Sequence, residues 1–153
     1  MNKEHNAMIL HIKKMREGAA IPQRATSGSA GVDLCACIDA PLPIPARGSV
    51  TIPTGIAIAI GRPDVAAFVF GRSGLGIRHG IVPSNAVGVI DSDYRGEIMV
   101  GLSNHSDTGY TVQPGERIAQ MVLMPVFLPQ IEECELLPVT QRGEGGFGST
   151  GRQ

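Results

Sequence analysis

Residues 88–97, Gly-Val-Ile-Asp-Ser-Asp-Tyr-Arg-Gly-Glu, crowd two aspartates (Asp91, Asp93), one of the chain's two tyrosines (Tyr94) and the guanidinium of Arg95 into one short stretch. Gly88 and Gly96 frame it, and the apolar residues 87–90 and 98–100 on either side predict a hairpin. One Asp in a turn is accounted for by bonds from its side chain to nearby backbone N–H groups. A second carboxylate with a Tyr and an Arg beside it points to chemistry. A positioned carboxylate activates water, and strand-held loops are where such groups gather. Residue types alone do not choose between Asp91 and Asp93.

Three other segments carry reactive or ligand-holding side chains. Gly71-Arg72-Ser73-Gly74 stands between a predicted strand and a helical turn, where a hydroxyl, an Arg fork and free N–H groups suit an anion. A capped helix with a solvated Arg is the plainer reading. A nucleophile elbow is excluded, because Leu75 stands where G-x-S-x-G needs Gly. Gly115-Glu116-Arg117-Ile118-Ala119-Gln120 opens a strand after a turn at Pro114, and alone reads equally as an edge strand with a surface ion pair. In residues 142–151, Gly143, Gly145 and Gly148 satisfy G-x-G-x-x-G, but too little sequence follows for the crossover helix that gives that fingerprint meaning. A flexible tail is one reading of this segment. Phe147 set among glycines, with Arg142 upstream and Ser149 and Thr150 after it, instead predicts a strip that folds over a phosphorylated nucleoside.

These groups must be positioned by a single domain, since 153 residues suffice to bury one core. Gly (20) and Pro (11) together exceed their usual share of about 12%, and they punctuate short apolar runs. Met8, Leu10 and Ile12 alternate with other residues, as do Ile56, Ile58 and Ile60. Residues 66–70, 98–102 and 118–126 are further strands. The one helix predicted is a short turn with Ser73 as N-cap, Leu75 and Ile77 inside it and Gly80 as its stop. The expected fold is all-β, a jelly-roll or distorted barrel.

A net charge of -1 provides no basic field for a nucleic-acid backbone or an anionic membrane, so neither is expected as a partner. Lys3, Glu4, Lys13 and Lys14 break any signal-peptide run, and no stretch is long and apolar enough to span a bilayer. Cys35, Cys37 and Cys134 lack metal-ligand spacing; the first two are expected to share a strand face as a buried thiol pair. A soluble cytoplasmic protein is the expectation.

Five segments in order, Ala30-Gly31-Val32-Asp33-Leu34, Arg72-Ser73-Gly74-Leu75-Gly76, residues 88–97, residues 115–120 and residues 142–151, resemble the five motifs of the homotrimeric deoxyuridine triphosphate nucleotidohydrolases, the dUTPases. The third and fifth are the specific ones. One departure is Gly71, where that family commonly has Pro.

The resemblance implies a barrel over residues 1–140 and a Gly-rich tail, residues 141–153, that closes over the site. It implies hydrolysis of dUTP to dUMP and pyrophosphate with Mg²⁺, which limits uracil in DNA and supplies dUMP for thymidylate synthesis. Asp91 would be the general base, with Asp93 left a turn role. Tyr94 would lie against the deoxyribose and exclude a 2′-hydroxyl. Main-chain groups around Val89, Ile90 and Met99 would read uracil, with Asn85 at the entrance. Arg72, Ser73, Gly74 and Gln120 would hold the α- and β-phosphates. Arg142, Ser149 and Thr150 would close on the γ-phosphate, Phe147 would stack on the base, and Gly148 would also bind substrate. Asp33 would bind a water of the Mg²⁺. Each site would draw on three subunits. A dCTP deaminase-type relative and a non-catalytic nucleotide-binding regulator are the alternatives.

Overall fold

The structure, a computed structural model, describes residues 8–146. Eleven strands and one helix follow in order among them: β1 (Leu10–Lys14), β2 (Val32–Cys35), β3 (Leu42–Ile44), β4 (Ser49–Pro53), β5 (Ile56–Ile60), β6 (Val65–Phe70), α1 (Ser73–His79), β7 (Ile81–Pro83), β8 (Gly88–Ile90), β9 (Met99–Asn104), β10 (Tyr110–Val112) and β11 (Arg117–Pro125). They pair as four small sheets in the orders β1-β5, β3-β10, β2-β11-β6-β8 and β4-β9-β7. Every pairing among these strands is antiparallel, as a jelly-roll barrel requires.

The core lies between these sheets. Leu34, Ile44, Ile52, Ile56, Ile81, Leu102, Ile118 and Met121 are its largest fully buried apolar side chains. In β5 the alternation of Ile with Ala predicts one buried face, yet Ala57 is buried as well. The small Ala side chain lets that face be covered too. Two polar residues are also buried, and both are satisfied. Thr54 Oγ1 donates to Ile98 O at 2.7 Å, and Asn104 Nδ2 donates to Ile44 O, Pro45 O and Thr108 O. Leaving either unpaired would cost about 1–3 kcal/mol.

Three expectations are corrected here. The predicted hairpin is not a paired one: β8 pairs with β6, and β9 pairs with β4 and β7, so residues 91–98 cross from one sheet to another. The N-cap of α1 is Arg72, in extended conformation, and Ser73 is the first helical residue. Gly80 does end the helix, at φ 69°, but of the two apolar helix residues only Leu75 is buried, while Ile77 is 86% exposed. Finally, Cys35 and Cys37 are each only half-buried and do not share a strand. β2 ends at Cys35, after which Ala36 N donates to Glu116 O and Cys37 N to Pro53 O, so the chain crosses from β11 to β4.

Beyond β11, residues 126–146 contain no helix or strand. Their apolar side chains stand in solvent: Phe127 is 98% exposed, Ile131 93% and Val139 99%. No helix among the described residues is long and apolar enough to cross a membrane.

Candidate active site

The segment between β8 and β9 forms one wall of a cavity of about 250 Å³. Asn85, Val89, Ile90, Asp91, Tyr94 and Met99 all line it, so six of the sequence-selected residues converge on one place. Two strand edges bound the opening. β8 is the last strand of its sheet, with a partner on one side only. β7 pairs with residues 102–104 of β9 and stops short of Met99 and Val100. Main-chain donors and acceptors of β8 and early β9 are therefore available to a flat polar ligand. The volume, just under the roughly 300–1,000 Å³ of drug-sized pockets, suits a single heterocycle. Ala86, at φ 60°, turns the chain sharply between β7 and β8 and brings Asn85 to the cavity mouth. Asp91 and Tyr94 are both exposed, with Tyr94 N bonded to Asp91 O at 3.2 Å. Tyr94 Oη donates to Glu97 O at 3.1 Å, which pins the ring against its own turn.

A second cavity, of about 350 Å³, gathers Asp33, Arg72, Ser73, Gly74, Arg117 and Gln120. Asp33 organises it. Arg72 Nε donates to Asp33 Oδ1 at 3.0 Å, and Arg117 Nη1 to Oδ2 at 3.1 Å. Two guanidiniums on one carboxylate leave an excess of positive charge, which suits an anion. A β-bulge between Arg117 and Ala119 makes this possible. It lets Ile118 and Ala119 both enter the core, while Arg117 reaches Asp33 and Gln120 Nε2 reaches Gly71 O at 2.9 Å. Over Gly74 the space is open, since an added Cβ there would meet nothing within 4 Å. At Gly71 an added Cβ would stand 3.0 Å from Pro83 Cδ, so the place that Pro takes in similar motifs is tight in this chain. Nearby, burial and then the Asp33 carboxylate push the Cys35 thiol up, away from the reactive thiolate.

The two cavities share no lining residue. Within one chain the structure does not bring Asp91 and Tyr94 together with Arg72, Ser73 and Gln120. Arg142 lines neither cavity; its Nε donates to Gly145 O at 2.7 Å. Phe147, Gly148, Ser149 and Thr150 lie outside the described residues.

Sequence reasoning missed Glu97 and Arg16. Glu97 lines the first cavity, and Arg16 grips its carboxylate with two bonds, Nε to Oε1 at 2.7 Å and Nη2 to Oε2 at 3.0 Å. Gly55 N adds a third bond, to Oε1, at 2.9 Å. The Arg16 guanidinium, aided by the Gly55 N–H, holds the Glu97 carboxyl below the usual carboxylate range. The two residues are 81 positions apart, so no local pattern announces the pair.

A family model described as dUTPase matches residues 17–151. The deoxyuridine 5'-triphosphate nucleotidohydrolase of Shigella flexneri is 48% identical over 153 residues, covering 100% of both chains. That of Albidiferax ferrireducens is 52% identical over 132 residues, covering 86% of this chain and 89% of its own. Among solved structures, the Staphylococcus bacteriophage 80alpha dUTPase with dUPNHPP superposes with a TM-score of 0.84 at 25% identity, covering 94% of this chain and 98% of its own. With nearly the whole length matched and both cavities built from the matched segments, the chain belongs to the dUTPase family.

Proposed function

We infer that this protein hydrolyses dUTP to dUMP and pyrophosphate. The observation that carries the reading is the convergence of Asp91 and Tyr94 on a single-heterocycle cavity bounded by open strand edges. Uracil is read by main-chain groups of Val89, Ile90 and Met99, with Asn85 at the mouth. Cytosine would set an amino donor against a main-chain donor, and such mispairing discriminates by orders of magnitude. The Tyr94 ring packs against the sugar and leaves no room for a 2′-hydroxyl. Asp91 orients and deprotonates the attacking water, and Asp93 serves the turn.

Arg72, Ser73, Gly74 and Gln120 hold the α- and β-phosphates, with Arg72 aimed by Asp33. Arg142, Ser149 and Thr150 close on the γ-phosphate, Phe147 stacks on the base, and Gly148 also binds substrate. Among the described residues no group of three or more His, Cys, Asp or Glu side chains could cage a metal, and both Asp33 oxygens already accept from guanidiniums. That donor set suits Mg²⁺ held by triphosphate oxygens and water, with Asp33 accepting from one of the waters. When bound, the ion offsets charge on the pyrophosphate leaving group. The dUTPase of phage phi11 of S. aureus, TM-score 0.76 at 19% identity, is described with a structural Mg(II) ion.

The working unit is a homotrimer. Two separate half-sites per chain and the exposed apolar residues Phe127, Ile131 and Val139 favour it, since a neighbour supplies both the missing half and a cover. Its place is the cytoplasm, in keeping with three free cysteines.

Purified protein with Mg²⁺ is offered dUTP, dCTP, dTTP and UTP in turn. Pyrophosphate release from dUTP, at least a hundredfold faster than from the others, is the expected result. Ammonia released from dCTP would replace this reading with a deaminase, and binding without turnover with a regulator.

A further inference from the structure

The Arg16–Glu97 pair lies at the back of the turn that carries Tyr94, and its contacts form a chain. Arg16 holds the Glu97 carboxylate from the segment after β1. Gly55, between β4 and β5, donates to the same carboxylate and accepts from Met15 N at 2.7 Å. Gly55 has little freedom: its φ is 71°, and a Cβ there would press on Ala19 and Cys37. One residue on, Ile98 N donates to Ile56 O at 2.8 Å, and Thr54 donates to Ile98 O from both its N and its Oγ1. Glu97 is therefore fastened through its side chain and its successor to a rigid corner of the barrel. Its one carbonyl is then the fixed point that receives the Tyr94 hydroxyl.

We propose that Arg16 and Glu97 are positioning residues for sugar selection: they fix the Glu97 carbonyl, which fixes the Tyr94 ring against the nucleotide's 2′ position. The inference rests on the reading of Tyr94 given under the proposed function. Both side chains act at one remove, for neither needs to touch the sugar. Arg16 precedes all five of the motif segments, so selectivity is set partly from outside them. A bidentate guanidinium suits this task because its planar fork fixes direction as well as distance.

The test is the ratio of kcat/KM for UTP to that for dUTP, measured for the full chain and for Arg16→Lys, Arg16→Met, Glu97→Gln and Tyr94→Ala. Tyr94→Ala should raise the ratio most. Arg16→Met and Glu97→Gln should raise it about five- to tenfold, chiefly through a higher KM for dUTP, and Arg16→Lys, which keeps charge and one bond, should fall between wild type and Arg16→Met. The Arg16→Met/Glu97→Gln double variant should be no worse than the worse single variant, because both break one contact. A raised ratio for Tyr94→Ala with an unmoved ratio in folded Arg16 and Glu97 variants overturns the brace alone, leaving it a stabilising ion pair. An unmoved ratio for Tyr94→Ala overturns the sugar reading and the inference with it. Since Arg16 is half exposed, Arg16→Lys provides a folded variant should Glu97→Gln not fold.

Discussion

Tyr94 and Gly96 occupy a shared space: a Cβ on Gly96 would overlap the Tyr94 hydroxyl and ring. The glycine is thus needed for what lies above it, and its φ is not in the left-handed region. Gly96→Ala should push the half-exposed ring outward, since the side chain moves more easily than backbone tied to β9. The KM for dUTP should rise about tenfold, a loss of about 1.4 kcal/mol, with the melting temperature nearly unchanged. Unaltered KM would mean that the ring position does not matter for binding.

Asp91 is exposed, so Asp91→Asn removes the proposed base without leaving a cavity or a buried charge. Turnover should fall by about 10²- to 10⁴-fold while dUTP still binds, because only proton abstraction is lost. Calorimetric titration beside pyrophosphate release separates the two effects. Activity within tenfold of wild type would shift attention to Asp93.

Asp33→Asn should loosen Arg72 and Arg117 together, as one amide cannot accept from two guanidiniums as a carboxylate does. A charge-assisted bond is worth about 1.5–3 kcal/mol, less here because Arg117 is half exposed. The KM for dUTP should rise about tenfold, and inhibition by added pyrophosphate should weaken by a similar factor. A change in KM without a change in pyrophosphate inhibition would separate Asp33 from phosphate holding.

Glu97 ionises more easily in the folded protein than in the unfolded chain, so its ion pair contributes stability above the unfolded value of about 4.3 and loses it as pH falls through the lower folded value. The gap in melting temperature between wild type and Glu97→Gln should be constant from pH 8 to about 5. It should then close in more acid solution. A gap that widened on acidification would reverse the assignment.

Truncation after Gln141 should leave a folded oligomer with little activity, since the removed residues carry Arg142 and the proposed Phe147, Ser149 and Thr150 contacts. Co-refolding this variant with Asp91→Asn should restore roughly a quarter of wild-type activity by random assembly of mixed rings. Mixed trimers as inactive as their parents would exclude a site built from different chains.

Much of this was legible because it is local. Alternating Ile and Ala announce β5, Gly80 announces the end of α1, and residues 88–97 announce a loop with chemistry. The partners of short strands were not legible. β8 has three residues, and its ladder with β6 is decided by burial across the barrel, not by the turn that follows it. The Cys35–Cys37 expectation failed for a related reason: two residues apart means one face only while the strand continues, and β2 stops at Cys35. Neither Arg16–Glu97 nor Asp33–Arg117, spanning 81 and 84 positions, leaves a trace in local sequence.

Because the cavity beside Asp91 and Tyr94 is walled by β6 and β8 on one side and β7 and β9 on the other, its width is the gap between two sheets rather than the spacing of two paired strands. Strand pairing holds that second kind of distance near 4.8 Å and permits no adjustment. The gap between sheets, by contrast, follows the bulk of what fills it, here Val69, Ile98 and Val100. Ring size is thus gauged by the girth of the hydrophobic interior. Fitting a larger or smaller heterocycle becomes a matter of trading methyl groups in the core, with the main-chain groups of β8 and β9 left in place.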